Sequence, residues 1–258
     1  MSTVIDQTWW MTQRRLKVFV QQPAFLIITL IQPAIWLFLF GSLFRKVVEL
    51  PGFGTSSYLD FLVPGVVIMN AVSTNMWAGM GTLEEIERGT LNRFLTTPVR
   101  RSAIMNANVV EQAISTIIQS LIIVLLGWAA GAHYPGGLGG VAVLVIASAL
   151  LGTVFGALSN TVGMLVRQRE TIIALNIFLL LPLTFLSSAF MAKDLMPQWM
   201  QDVARFNPLN WALSASRGAL TDHPDWASVA GHGGLLLAVA VVVVLLSVRT
   251  FRSYQKSV

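Results

Sequence analysis

The chain has 258 residues, 55% of them apolar and only 11% charged, whereas a soluble domain carries about a quarter charged residues. That composition excludes an ordinary water-soluble domain and predicts one all-α polytopic membrane domain over residues 1–258. The absence of cysteine excludes disulfides, thiolate metal sites and cysteine nucleophiles, and a net charge of +5 in so apolar a chain marks a cytoplasmic membrane face rather than a nucleic-acid footprint.

The N-terminus has no basic start, apolar core and small-residue cleavage site of a secretory signal, so it is expected to stay inside. Residues 4–20 predict an interfacial helix, with Ile5, Trp9, Leu16, Phe19 and Val20 on one face and Asp6, Gln7, Arg14 and Lys17 elsewhere. Residues 24–44 form the first predicted span, with an internal Pro33 that a membrane helix tolerates when its neighbours satisfy the freed carbonyl. A Gly- and Ser-rich loop follows at 51–57, then a second span at 61–83. The third is expected within 104–130, the fourth within 138–166, the fifth at 171–190 and the sixth at 229–248. Residues 192–227 contain Pro197, Pro208 and Pro224 with Trp199, Trp211 and Trp226, a pattern expected of short external helices that are interfacial or re-entrant.

Orientation follows from the basic residues. Arg14, Arg15, Lys17, Arg88, Arg93, Arg100, Arg101, Arg167, Arg169, Arg249, Arg252 and Lys256 fall on one predicted side; Arg45, Lys46, Lys193, Arg205 and Arg217 fall on the other. The richer side is cytoplasmic by the positive-inside rule, which puts both termini inside and makes six spans consistent.

No catalytic site is expected. None of the four lysines follows a glycine, so a phosphate-binding loop is missing, and neither a Gly-x-Ser-x-Gly elbow nor a His-Glu-x-x-His pair occurs. His133, His223 and His232 have no metal-ligand spacing, so neither a metal nor a cofactor is expected on this chain.

The most informative segment is 84–101, EEIERGTLNRFLTTPVRR. Leu83, Ile86, Thr90 and Phe94 share one helical side, Glu84 and Arg88 are i,i+4, and Pro98 stops the helix. Glu87 to Arg101, with Arg88-Gly89-Thr90-Leu91 followed by Thr97-Pro98-Val99, resembles the signature of ABC-2 type permeases, the family of daunorubicin-resistance exporters. Leu195 to Met200, Phe206 to Trp211 and on to Arg217 is similar to that family's external segment, and Tyr58 to Gly65 is a third match.

The resemblance implies an export permease without its own ATPase. It would work as a homodimer, or as a heterodimer with a sister permease, on two separate ABC ATPase subunits that bind ATP and Mg. It also implies an ATPase-coupling role for Glu84, Glu87, Arg88, Gly89, Thr90, Leu91, Arg93, Phe94, Thr97 and Pro98. The alternative for this segment is a juxtamembrane helix whose arginines touch lipid phosphates.

Asn70, Asn75, Glu111, Asn160 and Asn176 are polar within predicted spans, and the bilayer makes them inter-helix hydrogen-bonding groups or pathway residues. For Glu111 a pair with Arg100 or Arg101 is the structural alternative. Gly152 and Gly156 have the spacing of a close helix approach. The substrate class implied by the resemblance is amphipathic, drug-like or lipid-like, with polysaccharide or lipid-linked glycan export as an alternative. A secondary transporter is the competing class, but the chain shows no convincing inverted repeat.

Overall fold

The computed structural model describes residues 4–21, 23–49, 57–88 and 101–254. Among them all regular structure is helical. The first helix is α1 (Val4–Gln21), followed by α2 (Pro23–Ile35), which continues through a π-helical stretch (Trp36–Phe40) into a last turn (Gly41–Leu43). Next come α3 (Tyr58–Met76), α4 (Ala78–Glu87), α5 (Arg101–Ala129), α6 (Gly137–Val166) and α7 (Arg169–Phe185). Two short helices, α8 (Gln198–Ala204) and α9 (Pro208–Ala219), precede α10 (Trp226–Tyr254).

Four helices among the described residues are long and apolar enough to cross a membrane: Tyr58–Glu87, Asn106–Ala129, Gly137–Val166 and Trp226–Thr250. The first and fifth predicted spans come out shorter. Ile27–Leu43 is an apolar helix below that length, and α7 stops at Phe185, although the apolar run continues to Phe190. The cause lies far along the chain. Asn207 Nδ2 donates to Leu183 O at 2.7 Å and Leu186 O at 2.9 Å, so the last carbonyls of α7 are satisfied by a side chain instead of another turn. The same side chain caps α9, its Oδ1 accepting from Leu209 N at 3.0 Å.

α6 is the hub. It packs against α3, α4, α5, α9 and α10, and small residues let these backbones approach: a Cβ on Gly163 would stand 2.6 Å from Gly79 O. A Cβ on Gly152 would stand 2.7 Å from Asn75 Nδ2, and one on Gly156 would meet the Gln112 side chain. The Gly152–Gly156 seam therefore faces the chain's own α3 and α5. Leu62, Ile68, Ile123, Leu144, Leu151 and Leu213 fill the bundle and are fully buried.

The outer surface is apolar too. Ile28, Phe38, Leu125, Ile146, Phe178 and Leu245 are each more than half exposed, a pattern that water penalises and lipid does not. On α1, packed against α5, Thr12 is fully buried among the described side chains, its hydroxyl satisfied by Thr8 O at 2.8 Å, while Trp9 and Trp10 are exposed. Of the predicted apolar face Trp9 is exposed and Leu16 is half-buried; the side chains of Ile5, Phe19 and Val20 lie outside the described residues.

Candidate functional site

Polar side chains gather where α3 and α4 meet α5 and α6. The long α3–α4 helix breaks at Trp77, where Met80 N turns to Trp77 O at 3.0 Å. Ser159 of α6 repairs the break: its hydroxyl donates to Met76 O and accepts from Gly79 N at 2.9 Å. A freed backbone group inside a bilayer needs such a partner.

Around this joint, Asn75 Nδ2 donates to Ala71 O at 2.7 Å and to Thr116 Oγ1 at 2.9 Å. Thr116 donates onward to Gln112 O at 2.7 Å. Asn70 Nδ2 donates to Gln119 Oε1 at 2.9 Å, and Thr82 Oγ1 to Asn160 Oδ1 at 2.8 Å. Between these helices lies a cavity of ≈ 490 Å³ whose wall includes Glu84 and Glu85 from α4, Asn108, Glu111 and Gln112 from α5, and Asn160 from α6. Glu111 accepts from Ser115 Oγ at 3.0 Å. Its expected pairing with Arg100 or Arg101 falls on side chains outside the described residues.

One turn beyond the cavity, α4 ends in charge. Arg88 pairs with Glu84 at 3.4 Å along the helix. Glu87 pairs instead with Arg169, the first residue of α7, through both carboxyl oxygens, one of them 3.4 Å from Nε. That hydrogen bond, with the charge behind it, holds the Arg169 guanidinium above its ordinary pKa. The contact exists because α6 and α7 are joined by only two residues. Arg167 takes φ 54°, left-handed for a residue with a Cβ, and reverses the chain; such a conformation costs about 1–2 kcal/mol.

The structure therefore brings Asn75, Glu111 and Asn160 to one cavity, with Asn70 bonded to a residue of its wall. Asn176 is elsewhere, buried on α7 with its Nδ2 unpartnered. Glu84, Glu87 and Arg88 stand at the end of α4, while Gly89, Thr90, Leu91, Arg93, Phe94, Thr97 and Pro98 lie outside the described residues. Sequence reasoning missed Ser159 and Arg169. A hydroxyl within a span carried no signal, but a basic residue opening a helix opposite the charged last turn of α4 could have been found by assuming that consecutive spans share an end.

A second polar cluster sits at the opposite end of the bundle. Arg217 of α9 donates to Ser188 O at 2.7 Å and to Phe61 O and Ala189 O at 3.1 Å, with its guanidinium carbon 3.5 Å from the Phe61 ring centroid. It ties α3 and the turn after α7 to α9.

The family model described as ABC-2 type transporter matches residues 6–221. The chain belongs to the ABC-2 type transporter family. Among similar proteins, the daunorubicin resistance ABC transporter permease protein DrrB1 of Streptomyces coeruleorubidus is 27% identical, over 98% of this chain and 88% of that protein. The putative transport permease ycf38 of Porphyra purpurea is 30% identical, over 86% of this chain and 76% of that one. The linearmycin resistance permease protein LnrN of Bacillus subtilis is 27% identical, over 73% of this chain and 48% of its own length. As an ABC-2 type chain, this is a multi-pass membrane transport component, and the cavity and the charged end of α4 lie inside the matched region.

Proposed function

We propose that the chain is the transmembrane permease subunit of an ATP-binding-cassette exporter in the cell membrane, moving an amphipathic, drug-like or lipid-like substrate out of the cytoplasm or inner leaflet. The observation that carries this reading is the family match over residues 6–221, joined by the similarity to a daunorubicin resistance ABC transporter permease. In this reading α2 and α7 complete six spans with the four longer helices, both termini are cytoplasmic, and α1 lies at the lipid interface. Two copies of the chain sit on two separate ATPase subunits, which bind ATP and Mg.

Segment 84–101 is then the coupling element. Movement of an ATPase against it would reach α7 through the Glu87–Arg169 pair and α6 through α4, whose Gly79 lies against Gly163. Both partners of the ion pair are nearly half exposed, so it contributes little to folding and is open to a docking partner.

The test co-expresses the chain with its ATPase and measures membrane insertion, co-purification and ATP-dependent export together. Glu87→Ala and Arg88→Ala should insert normally yet lose ATPase docking or export. Phe94→Ala should weaken docking by about 2 kcal/mol or more, as loss of an aromatic anchor does. Wild-type assembly and export in all three variants would make this segment a lipid-facing helix and remove the coupling role.

A further inference from the structure

α3 and α4 follow one another along one apolar run, yet they are packed differently. Of the nineteen residues of α3 fourteen are buried; of the ten of α4 only Gly79, Thr82 and Leu83 are. Three of the ties of α4 to the bundle are single side-chain bonds: Ser159 at its first turn, Asn160 to Thr82 in its middle and Arg169 to Glu87 at its end.

At the joint between the two helices the backbone ladder changes partners. Trp77 has ψ −6°, well off the value of about −42° in an α-helix. Trp77 N bonds Thr74 O at 3.3 Å, and Met80 N bonds Trp77 O at 3.0 Å. Met76 O, which Met80 N would take in a continuous helix, accepts from the Ser159 hydroxyl, and Ser159 Oγ in turn accepts from Gly79 N at 2.9 Å. No proline imposes the break. Ser159 also departs from the other hydroxyls of the bundle. Thr12, Thr116, Thr161, Ser216 and Thr250 each donate to the carbonyl four residues back on their own helix, the local bond open to a helical hydroxyl. Every group at the joint therefore has a second partner within reach of its own helix: Met80 N at Met76 O, Gly79 N at Asn75 O, and Ser159 Oγ at Phe155 O.

We infer that the joint at Trp77 is a two-position hinge with Ser159 as its latch. It is bent while the hydroxyl bridges Met76 and Gly79, and straight when the ladder closes across Trp77. Straightening swings the charged end of α4 against α6 and α7, draws Thr82 from Asn160 and Glu87 from Arg169, and moves the cavity wall at Trp77, Ala78 and Gly81. Both positions satisfy the same backbone groups, so a partner that binds the end of α4 better in one of them shifts the balance. In the coupling reading of segment 84–101, on which this use of the hinge rests, an ATPase moves α4 without dragging the buried α3.

The chain has no cysteine, so Arg88→Cys at the end of α4 and Leu245→Cys on α10, both exposed positions, take a pair of spin labels cleanly. Pulsed electron double resonance on the full chain, one copy per phosphatidylcholine nanodisc and without ATPase, reads the hinge. Ser159→Ala removes the latch and should shift the label distance by about 5 Å, the travel of a helix about 15 Å long turning through about 20°. Thr161→Val removes a hydroxyl bonded to its own helix and should leave the distance unchanged. Adding Met80→Pro to Ser159→Ala should restore the original distance, because proline is tolerated in the first turn of α4 but cannot make the Met80 N to Met76 O bond of the straight form. Simple damage would add instead of cancelling. An unshifted Ser159→Ala, a shift shared by Thr161→Val, or a shift that Met80→Pro does not reverse overturns the hinge. Met80→Pro alone, without the spin labels and co-expressed with the ATPase, should co-purify with it yet lose ATP-dependent export. Wild-type export from that variant overturns the inference even where Ser159→Ala fails to insert. Failure of the coupling reading shows elsewhere, as wild-type assembly and export in the Glu87, Arg88 and Phe94 variants, and leaves the label distances as they are.

Discussion

The two polar clusters of this membrane protein are built from similar chemistry and come out opposite. Around Arg217 a buried cation is matched by carbonyl oxygens from α3 and the turn after α7, its face covered by Phe61. In the α4–α5–α6 cavity Asn108 Oδ1 and Gln112 Oε1 are buried without a partner, beside a space of ≈ 490 Å³. The first cluster spends both terminal guanidinium nitrogens on holding three segments together, and only Nε is buried without a partner. The second leaves part of its polarity without a partner. A polar group inside a bilayer is therefore informative only once its partners are counted.

The comparison breaks most visibly at Arg217. Replacing it by Met leaves the Phe61, Ser188 and Ala189 carbonyls without their donor, and should cost about 3 kcal/mol or more. Arg217→Lys keeps the charge but not the planar fork, so it should fall between Met and the wild type. Thermal unfolding of the detergent-solubilised protein, followed by size-exclusion chromatography, reads both. Wild-type melting of the Met variant would show that the cradle does not hold the fold, and would erase the contrast drawn here.

A smaller effect is expected at the close approach that supports the cavity. Gly163→Ala puts a Cβ 2.6 Å from Gly79 O, a backbone atom that cannot swing aside, and overpacking of this kind costs about 1–3 kcal/mol. Gly139, on the same helix, has open space where its Cβ would go. Gly139→Ala is the matched control and should melt at or slightly above the wild-type temperature. If the two variants melt together, the α4–α6 contact is looser than its geometry and the joint at Trp77 is free to move.

Much of this was legible beforehand, for reasons that differ by element. α5, α6 and α10 coincide with apolar runs because a helix that must hide its backbone from lipid has no other option. α7 could not be bounded that way, since its end is fixed by Asn207, more than twenty residues later. The break at Trp77 was also invisible. It contains no proline, and its stability comes from Ser159 on another helix. Of the site residues, Asn75, Glu111 and Asn160 were identified by polarity alone, but which helix each one faces depends on rotation about the helix axis, which composition does not encode. The pairing of Glu87 with Arg169 depends on the left-handed Arg167, a conformation that an arginine rarely signals.

The smallest predicted effect concerns a hydrogen bond that holds the cavity wall. Thr82 Oγ1 donates to Asn160 Oδ1 at 2.8 Å, and both residues are more than nine-tenths buried. Thr82→Val removes that donor while keeping the branched shape. Inter-helix hydrogen bonds in membranes average only about 0.6 kcal/mol, because the separated helices find other partners. Melting should therefore fall slightly, far less than for Arg217→Met. A fall as large as that of Arg217→Met would mean that the wall acts as one hydrogen-bonded unit, and the Thr82–Asn160 bond would then rank with the Arg217 contacts as a tie between helices.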